Sequence, residues 1–447
     1  MATRGLAGDK RTTRSSAMNA AAAAITRSKA KKLDQENHLN HQLITLIETT
    51  ISSAHSFLSL NDLHLLPSQT LALESLLCST SSSLHALSPR LPKLSLPPPL
   101  PPPRQCWFQR FLSATSDVDC DPRWNLSFRM SKSSFSLLLR LLSPIQSSPS
   151  SSVPPDCALA AALFRLAHGA SYKAVGRRFG IDSADACRSF YAVCKAINEK
   201  LGHLLELRSD IDRIVVGFGW ISLPNCCGVL GLRRFGFEGE LKNGSLLVQA
   251  LVDAEGRFLD VSAGWPSSMK PATILRQSKL YAEIEKSSEL LKGPVYNLDN
   301  EKPIPQYLIG DSCFPLLPWL LTPYMELNEE DSSGFCGRAF NSTHGRAMAL
   351  VNTAFCRLRA RWKLLSKPWK EGCRDFFPFI ILTGCLLQNF LIKCSEKLDE
   401  EQDQEEGASC SSEEQKFPLF DGEIGDGRGK DIRDALALHL SSLNYRR

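Results

Sequence analysis

Residues 307–324 read YLIGDSCFPLLPWLLTPY. Tyr307-Leu308-Ile309 is a short apolar run of the kind that forms a buried strand. Gly310-Asp311-Ser312 breaks it. Pro315, Pro318 and Pro323 then punctuate an apolar stretch, so no regular helix runs through it. A carboxylate directly after a buried strand is where α/β folds place chemistry. The plainer reading of Asp311 is a turn residue whose carboxylate accepts neighbouring hydrogen bonds.

Around this stretch, residues 211–395 carry the strand-rich part of the chain. Arg213 to Phe218, Leu246 to Val252, Phe258 to Ser262 and Tyr307 to Ile309 are predicted strands, rich in Val, Ile, Leu and Phe. The second and third form a predicted hairpin around Ala254-Glu255-Gly256. Helices are predicted over 272–290 and 345–366. The run 376–392, FFPFIILTGCLLQNFLI, is the one membrane-span candidate. Pro378, Thr383, Gln388 and Asn389 interrupt it, and it is shorter than the roughly 20 residues a span needs. It reads as a buried core helix, and no membrane partner is expected.

Upstream, 105–205 reads as a helical domain. Trp107, Phe108, Phe111, Trp124, Phe128 and Phe135 stand among polar residues, and Ser131 is placed to cap an apolar helix. Within 156–205, three helices are expected: Leu159 to His168, Ser171 to Gly180 with Gly180 as C-cap, and Ala184 to Lys200. Helix, short turn, helix is a helix-turn-helix shape. Its last helix offers Arg188, Lys195 and Asn198 to base edges, and Arg177 and Arg178 to phosphate. The alternative is a plain three-helix bundle with solvated basic residues.

Towards the N-terminus, 89–104 (RLPKLSLPPPLPPPR ends this Pro-rich run) is a semi-rigid linker. Residues 38–88 have helical periodicity through Leu43, Ile47, Ile51, Ala54 and Leu58, then Leu73, Leu76, Leu77, Leu84 and Leu87, and predict a helical hairpin. Residues 1–37 are polar, Ala-rich and basic, and are expected to be disordered. Arg27-Ser28-Lys29-Ala30-Lys31-Lys32 reads either as a nuclear import signal or as part of a solvated tail. At the other end, 396–416 is an acidic, disordered insertion, and 417–447 carries a last helix through Ile432, Leu436 and Leu440.

The word order GDS-x-[FY]-PLL-x-WL-x-TPY closely resembles the segment around the second metal-binding Asp of Harbinger (PIF-type) transposases and the host proteins derived from them. Phe128-Arg129-Met130-Ser131 followed by Phe135 resembles the entry to their helical domain. The resemblance covers about 120–440 and implies an RNase H-like, DDE-transposase-type α/β core with an Asp-Asp-Glu triad. The order of strands, helix and further strand fits that core. In such enzymes three carboxylates hold a pair of divalent ions.

The triad strings align without gaps. The first acid of family strings such as CG-[AV]-[IL]-D-G-T-H falls in Cys227-Gly228-Val229-Leu230-Gly231-Leu232-Arg233-Arg234, at Gly231. The third falls in Phe340-Asn341-Ser342-Thr343-His344-Gly345-Arg346 and Val351-Asn352-Thr353-Ala354-Phe355, at Asn352. A further His-Asp pair is replaced by Lys270-Pro271. Asp311 is the remaining triad carboxylate and the remaining candidate metal ligand. The resemblance therefore implies a catalytically inactive protein with no cofactor of its own, where active relatives use a divalent metal. Two alternatives stand beside it. One is a nuclease with a relocated acid, drawn from Asp253, Asp260 or Glu238. The other is a stand-alone DNA-binding regulator acting through 171–200. The family also implies a nuclear location, a separate Myb/SANT-like DNA-binding partner and, in plants, recruitment into chromatin-modifying complexes.

Composition sets wide bounds. The chain has 447 residues, net charge +5 and 15 Cys. That is long enough for two or three domains, and mildly basic, which is compatible with DNA. No C-x-x-C pair is present, so zinc-finger readings have little support. The cysteines read as reduced, mostly packed thiols of an intracellular protein.

Overall fold

The computed structural model describes residues 9–87, 105–115, 121–142, 153–207, 210–238, 244–286, 290–298, 302–326, 332–396, 417–422 and 427–445. They fall into two compact units, Met1–Gln105 and Cys106–Arg447. The Pro-rich linker and almost all of the acidic insertion lie outside the described residues.

The first unit is a helical hairpin of α1 (Asp9–Asn61) and α2 (Pro67–Leu87). Leu58 and Leu77 are buried between the helices. Thr70 closes the turn, its hydroxyl donating to the Pro67 carbonyl at 2.9 Å. The expectation of disorder over 1–37 is corrected from Asp9 onward, where the segment is the first half of α1. The run Ala20 to Ala24 has the highest helix propensity, and it joins the apolar-periodic half without a breaker. Elongation from that half costs no new nucleus.

Among the described residues the second unit starts with six helices: α3 (Trp107–Ala114), α4 (Pro122–Phe128), α5 (Lys132–Leu142), α6 (Pro155–His168), α7 (Tyr172–Phe179) and α8 (Ser183–Leu201). Their core is aromatic. Phe128, fully buried, lies 5.6 Å from Phe111 and 5.3 Å from Trp124, ring to ring. Ser131 caps α5 as expected, its hydroxyl accepting from the Ser134 N–H at 3.2 Å. Gly180 ends α7 in the left-handed conformation with φ 67°.

After α9 (Ile211–Gly219) come β1 (Cys226–Glu238), β2 (Ser245–Val252), β3 (Phe258–Pro266), α10 (Pro271–Gln277) and α11 (Lys279–Lys286). A two-stranded ribbon of β4 (Tyr296–Asn297) and β5 (Pro303–Ile304) leads to β6 (Tyr307–Gly310) and β7 (Leu320–Leu321). Then follow α12 (Ser332–Arg361), β8 (Trp369–Lys370), α13 (Phe377–Lys393) and α14 (Gly427–Tyr445). The main sheet runs β3-β2-β1-β6-β7, with β8 on the end of β1. β1 pairs antiparallel with β2 and parallel with β6, so it sits at the junction of an antiparallel and a parallel half. The predicted β2–β3 hairpin is present, with Ala250 opposite Val261.

The strand expected at Arg213–Phe218 is instead α9. Its β-branched residues imitate a strand, but Ile214 and Phe218, four apart, are the buried pair, while Val216 is 62% exposed. Burial at i and i+4 is helical spacing, and it overrides propensity. The helical run Cys373–Lys393, most of which is α13, is long and apolar enough to cross a membrane by length and composition. Here Ile380, Ile381, Leu386 and Leu387 are buried inside the unit, so it serves as a core helix.

The boundary expected between 105–205 and 211–395 is not a boundary between compact units. α8 packs on α13, with Asn198 Nδ2 donating to Thr383 Oγ1 at 2.7 Å. The Glu396 carboxylate accepts the Ser131 N–H at 3.0 Å. On α13, Asn389 fastens an edge strand: Oδ1 accepts the Phe258 N–H at 2.9 Å, and Nδ2 donates to the Phe258 and Leu204 carbonyls at 2.6 and 3.0 Å. Asn389→Leu leaves those buried backbone groups unpaired and should cost about 2–4 kcal/mol in urea unfolding. A loss under about 0.5 kcal/mol would show that the network carries no stability.

His168 gives a second expectation. Its Nε2 lies 3.0 Å from the Ser127 carbonyl, which can only accept, so Nε2 carries the proton. Burial pushes the imidazole down to about 3. Below about pH 6.5 the unfolded chain binds a proton here that the folded chain does not. Stability is therefore complete above that pH and falls as pH drops towards 3, by at most about 1.4 kcal/mol per unit. Urea midpoints between pH 7 and 5 should fall more steeply in the wild type than in His168→Gln, which keeps a donor for Ser127. Equal slopes would remove His168 as the cause.

Candidate functional site

The segment 307–324 contains four residues of β6, two of β7 and little other regular pairing, because its prolines lack N–H donors. Side chains of α12 hold it instead. Asn341 Oδ1 accepts the Tyr324 N–H and its Nδ2 donates to the Tyr324 carbonyl, both at 2.9 Å. One turn on, His344 Nε2 donates to the Gly310 carbonyl at 2.9 Å. Burial holds the His344 imidazole below its ordinary range, which keeps it neutral for that role. Arg433 of α14 covers the same end, its guanidinium 3.9 Å from the Tyr324 ring centre. The FN-x(2)-H string, quoted for its alignment with a catalytic motif, thus has a structural task that its spacing across one helical turn could have disclosed.

Two of the three positions aligned with the triad are brought side by side, and the third follows, on α12, the residue that packs on the first. Leu230 is opposite Gly310 across β1 and β6, so Gly231 and Asp311 follow each other on neighbouring strands. α12 lies over β1, and Val351, next to Asn352, fills the space in front of Gly231. A Cβ at Gly231 would stand 2.9 and 3.0 Å from the two Val351 methyls, closer than real Cβ contacts allow. Asn352 itself is exposed. Asp311 is half-buried and spends Oδ1 on its own turn, accepting from Ser312 N at 2.6 Å and from Ser312 Oγ at 3.1 Å. Its turn reading is therefore realised. The neighbouring positive charges are also engaged: buried Arg233 points Nη2 at Cys356 Sγ, 3.8 Å away, and Lys270 pairs with Asp421 at 2.8 Å.

Among the described residues, no three His, Cys, Asp or Glu side chains are grouped to hold a metal ion. One turn-bound carboxylate, a packed glycine and a neutral amide do not match the donor set that two divalent cations need. The alternative acids do not converge either. Asp253 is 2% exposed and closes the β2–β3 turn, accepting from Glu255 N, Arg257 N and Arg257 Nε. Asp260 lies on β3, two strands from β1, which is about 10 Å. Burial pushes its carboxyl up to about 6. Glu238 ends β1, seven residues beyond Gly231, so roughly 20 Å along the strand.

The helix-turn-helix candidates divide. Arg178 is corrected as a phosphate contact: it is 4% exposed, with its guanidinium 5.1 Å from the Trp107 ring and 4.9 Å from Phe164. Asn198 is corrected as a base contact, because it bonds Thr383 and the Cys194 carbonyl. Arg177, Arg188 and Lys195 are exposed. Arg188 pairs with Asp185 at 2.5 Å and Lys195 with Glu199 at 3.8 Å on α8 itself.

The Gly231–Val351 contact is testable by a double-mutant cycle. Gly231→Ala should destabilise by about 1–3 kcal/mol through overpacking. In a Val351→Ala background the same change should cost at least about 1 kcal/mol less, read by urea unfolding. Additive effects would mean that Val351 does not occupy the first-acid position.

A family model described as DDE superfamily endonuclease matches residues 230–389, which spans β1 to α13 and so contains all three positions. The chain is 29% identical over 361 residues to the Arabidopsis thaliana protein named ALP1-like, covering 76% of this chain and 86% of that one. It is 30% identical over 303 residues to the Arabidopsis thaliana protein named Antagonist of Like Heterochromatin Protein 1, covering 61% and 74%. A candidate nuclease of Rattus norvegicus, HARBI1, is 24% identical over 277 residues, covering 57% and 73%. No solved structure matches the chain. The mixed sheet with its helices is thus the RNase H-like domain of the DDE superfamily, and the chain belongs to the Harbinger-type, transposase-derived proteins.

Proposed function

We propose that this chain is a catalytically inactive, nuclear member of its family that acts as a scaffold or DNA-associated subunit of a chromatin-regulating complex. The observation that carries the reading is the intact frame with a filled centre: Val351 packs where the first carboxylate would project. Phosphodiester hydrolysis by two metals needs several carboxylates to neutralise and position the ions. Asp311 supplies one charge, already engaged by Ser312. A relative whose printed name makes it an antagonist of Like Heterochromatin Protein 1 supports a chromatin setting. Exposed Arg27, Lys29, Lys31 and Lys32 on α1 fit a nuclear import signal. A separate Myb/SANT-like protein is the expected DNA reader, since the exposed face of α8 balances its cations with Asp185 and Glu199.

The test uses purified full-length chain and Asp311→Ala on single- and double-stranded DNA, with Mg²⁺ and with Mn²⁺. No cleavage above buffer is expected from either. Metal-dependent cleavage that disappears in Asp311→Ala would overturn inactivity. Affinity capture from nuclear extract, read by mass spectrometry, should recover a Myb/SANT-like protein together with chromatin modifiers. Recovery of neither would remove the scaffold role.

A further inference from the structure

The hairpin of α1 and α2 leaves an open groove of about 480 Å³ along its length. Leu46, Ile47, Ile51, Ala54, Leu73 and Leu76 line most of it. Leu46 and Leu76 are 63% and 62% exposed, and Phe57 at the groove's end is 52% exposed. Its two polar linings make no demand on an occupant. The Thr50 hydroxyl donates to the Leu46 carbonyl and the Thr80 hydroxyl to the Leu76 carbonyl, each at 2.8 Å. Both threonines satisfy their hydroxyls on their own helix, which removes them from competition for the groove. Among the described lining residues none is ionisable.

We infer that the occupant is a second copy of this hairpin, so that two chains associate through a four-helix bundle. Charge argues for self-association. An isologous interface sets a face against itself, and a face without ionisable groups meets no like-charge penalty. Area argues the same way. A buried Leu or Phe removes roughly 60–120 Å² of apolar surface from water. Seven apolar side chains, three of them more than half exposed and four less so, then give roughly 200–350 Å² per copy, or about 400–700 Å² in all, the size of a weak, transient contact. The association is therefore expected in the micromolar range, strengthened wherever chains are held close together. A two-helix hairpin alone also has too little interior to bury both its apolar stripes, and a second hairpin supplies the missing layer. The inference does not rest on the loss of catalysis.

Sedimentation equilibrium of the full-length chain from below one to tens of micromolar tests it. The expected result is a reversible shift from the monomer mass to twice that mass. Leu46→Asp and Leu76→Asp, on different helices and at exposed positions, should each weaken association at least tenfold while circular dichroism keeps its helix content. The Leu76→Met variant should associate as the wild type does. A wild type that stays monomeric throughout overturns the proposal and leaves the groove to a different apolar helix. Association that persists in both Asp variants overturns it too, because the contact then lies elsewhere.

Discussion

Two side chains one turn apart on α12 hold the centre of the second unit together. Asn341 pairs both backbone groups of Tyr324, and His344 ties off the Gly310 carbonyl. The segment between those points carries three prolines and cannot hold itself by a sheet ladder. Its apolar residues are nonetheless buried, and buried backbone needs partners. The same helix lays Val351 against Gly231 and carries Asn352. One element therefore holds the end of β6, packs on Gly231 and carries Asn352. A change in its tilt would release the strand end, the proline segment and the β1 contact together.

That arrangement explains how the frame stands without carboxylates at positions 231 and 352. Carboxylates clustered without cations repel one another and resist burial, so each would raise its neighbour's pKa. A glycine backed by valine methyls has no such penalty. The residues that hold the frame, Asn341, His344 and Arg433, are not the metal positions, and they bond backbone groups that every sequence has. None of those bonds involves residue 231 or 352. In this chain the side chains that hold the frame are not those at the positions aligned with the triad.

Much of this was legible in the residues, and the misses have particular causes. The β2–β3 hairpin, β6 and the buried character of α13 follow from alternation, turn residues and a long apolar run. β1 carries Gly228, Gly231 and Gly236 with Arg233 and Arg234, which dilute the apolar signal of a strand buried by its neighbours. α9 fails in the opposite sense, since Ile214, Val215 and Val216 have strand propensity on a helical burial pattern. Arg178 and Asn198 follow their position on the helix rather than their residue type. Arg178 lies on the stripe of Ala174, Val175 and Phe179, and Asn198 on that of Cys194, Ile197 and Leu201. Spacing placed both inward, and a charged or amide side chain on an inward stripe is a packing residue with a polar end to satisfy. The Gly231–Val351 contact was not legible, because it joins positions far apart in sequence.

The two units dispose of apolar surface in different ways, and this bears on where partners act. In the second unit, α12, α13 and α14 cover the sheet, and even edge strand β3 has its Phe258 backbone satisfied by Asn389. Val351 methyls stand in front of Gly231, and among the described residues no three His, Cys, Asp or Glu side chains are grouped to hold a metal ion. The hairpin does the reverse: it satisfies its threonine hydroxyls internally and leaves leucines in water. Contiguous apolar exposure of that kind marks a surface for interaction. A groove lined by half-exposed leucines on both helices is therefore a surface that stands to gain from contact.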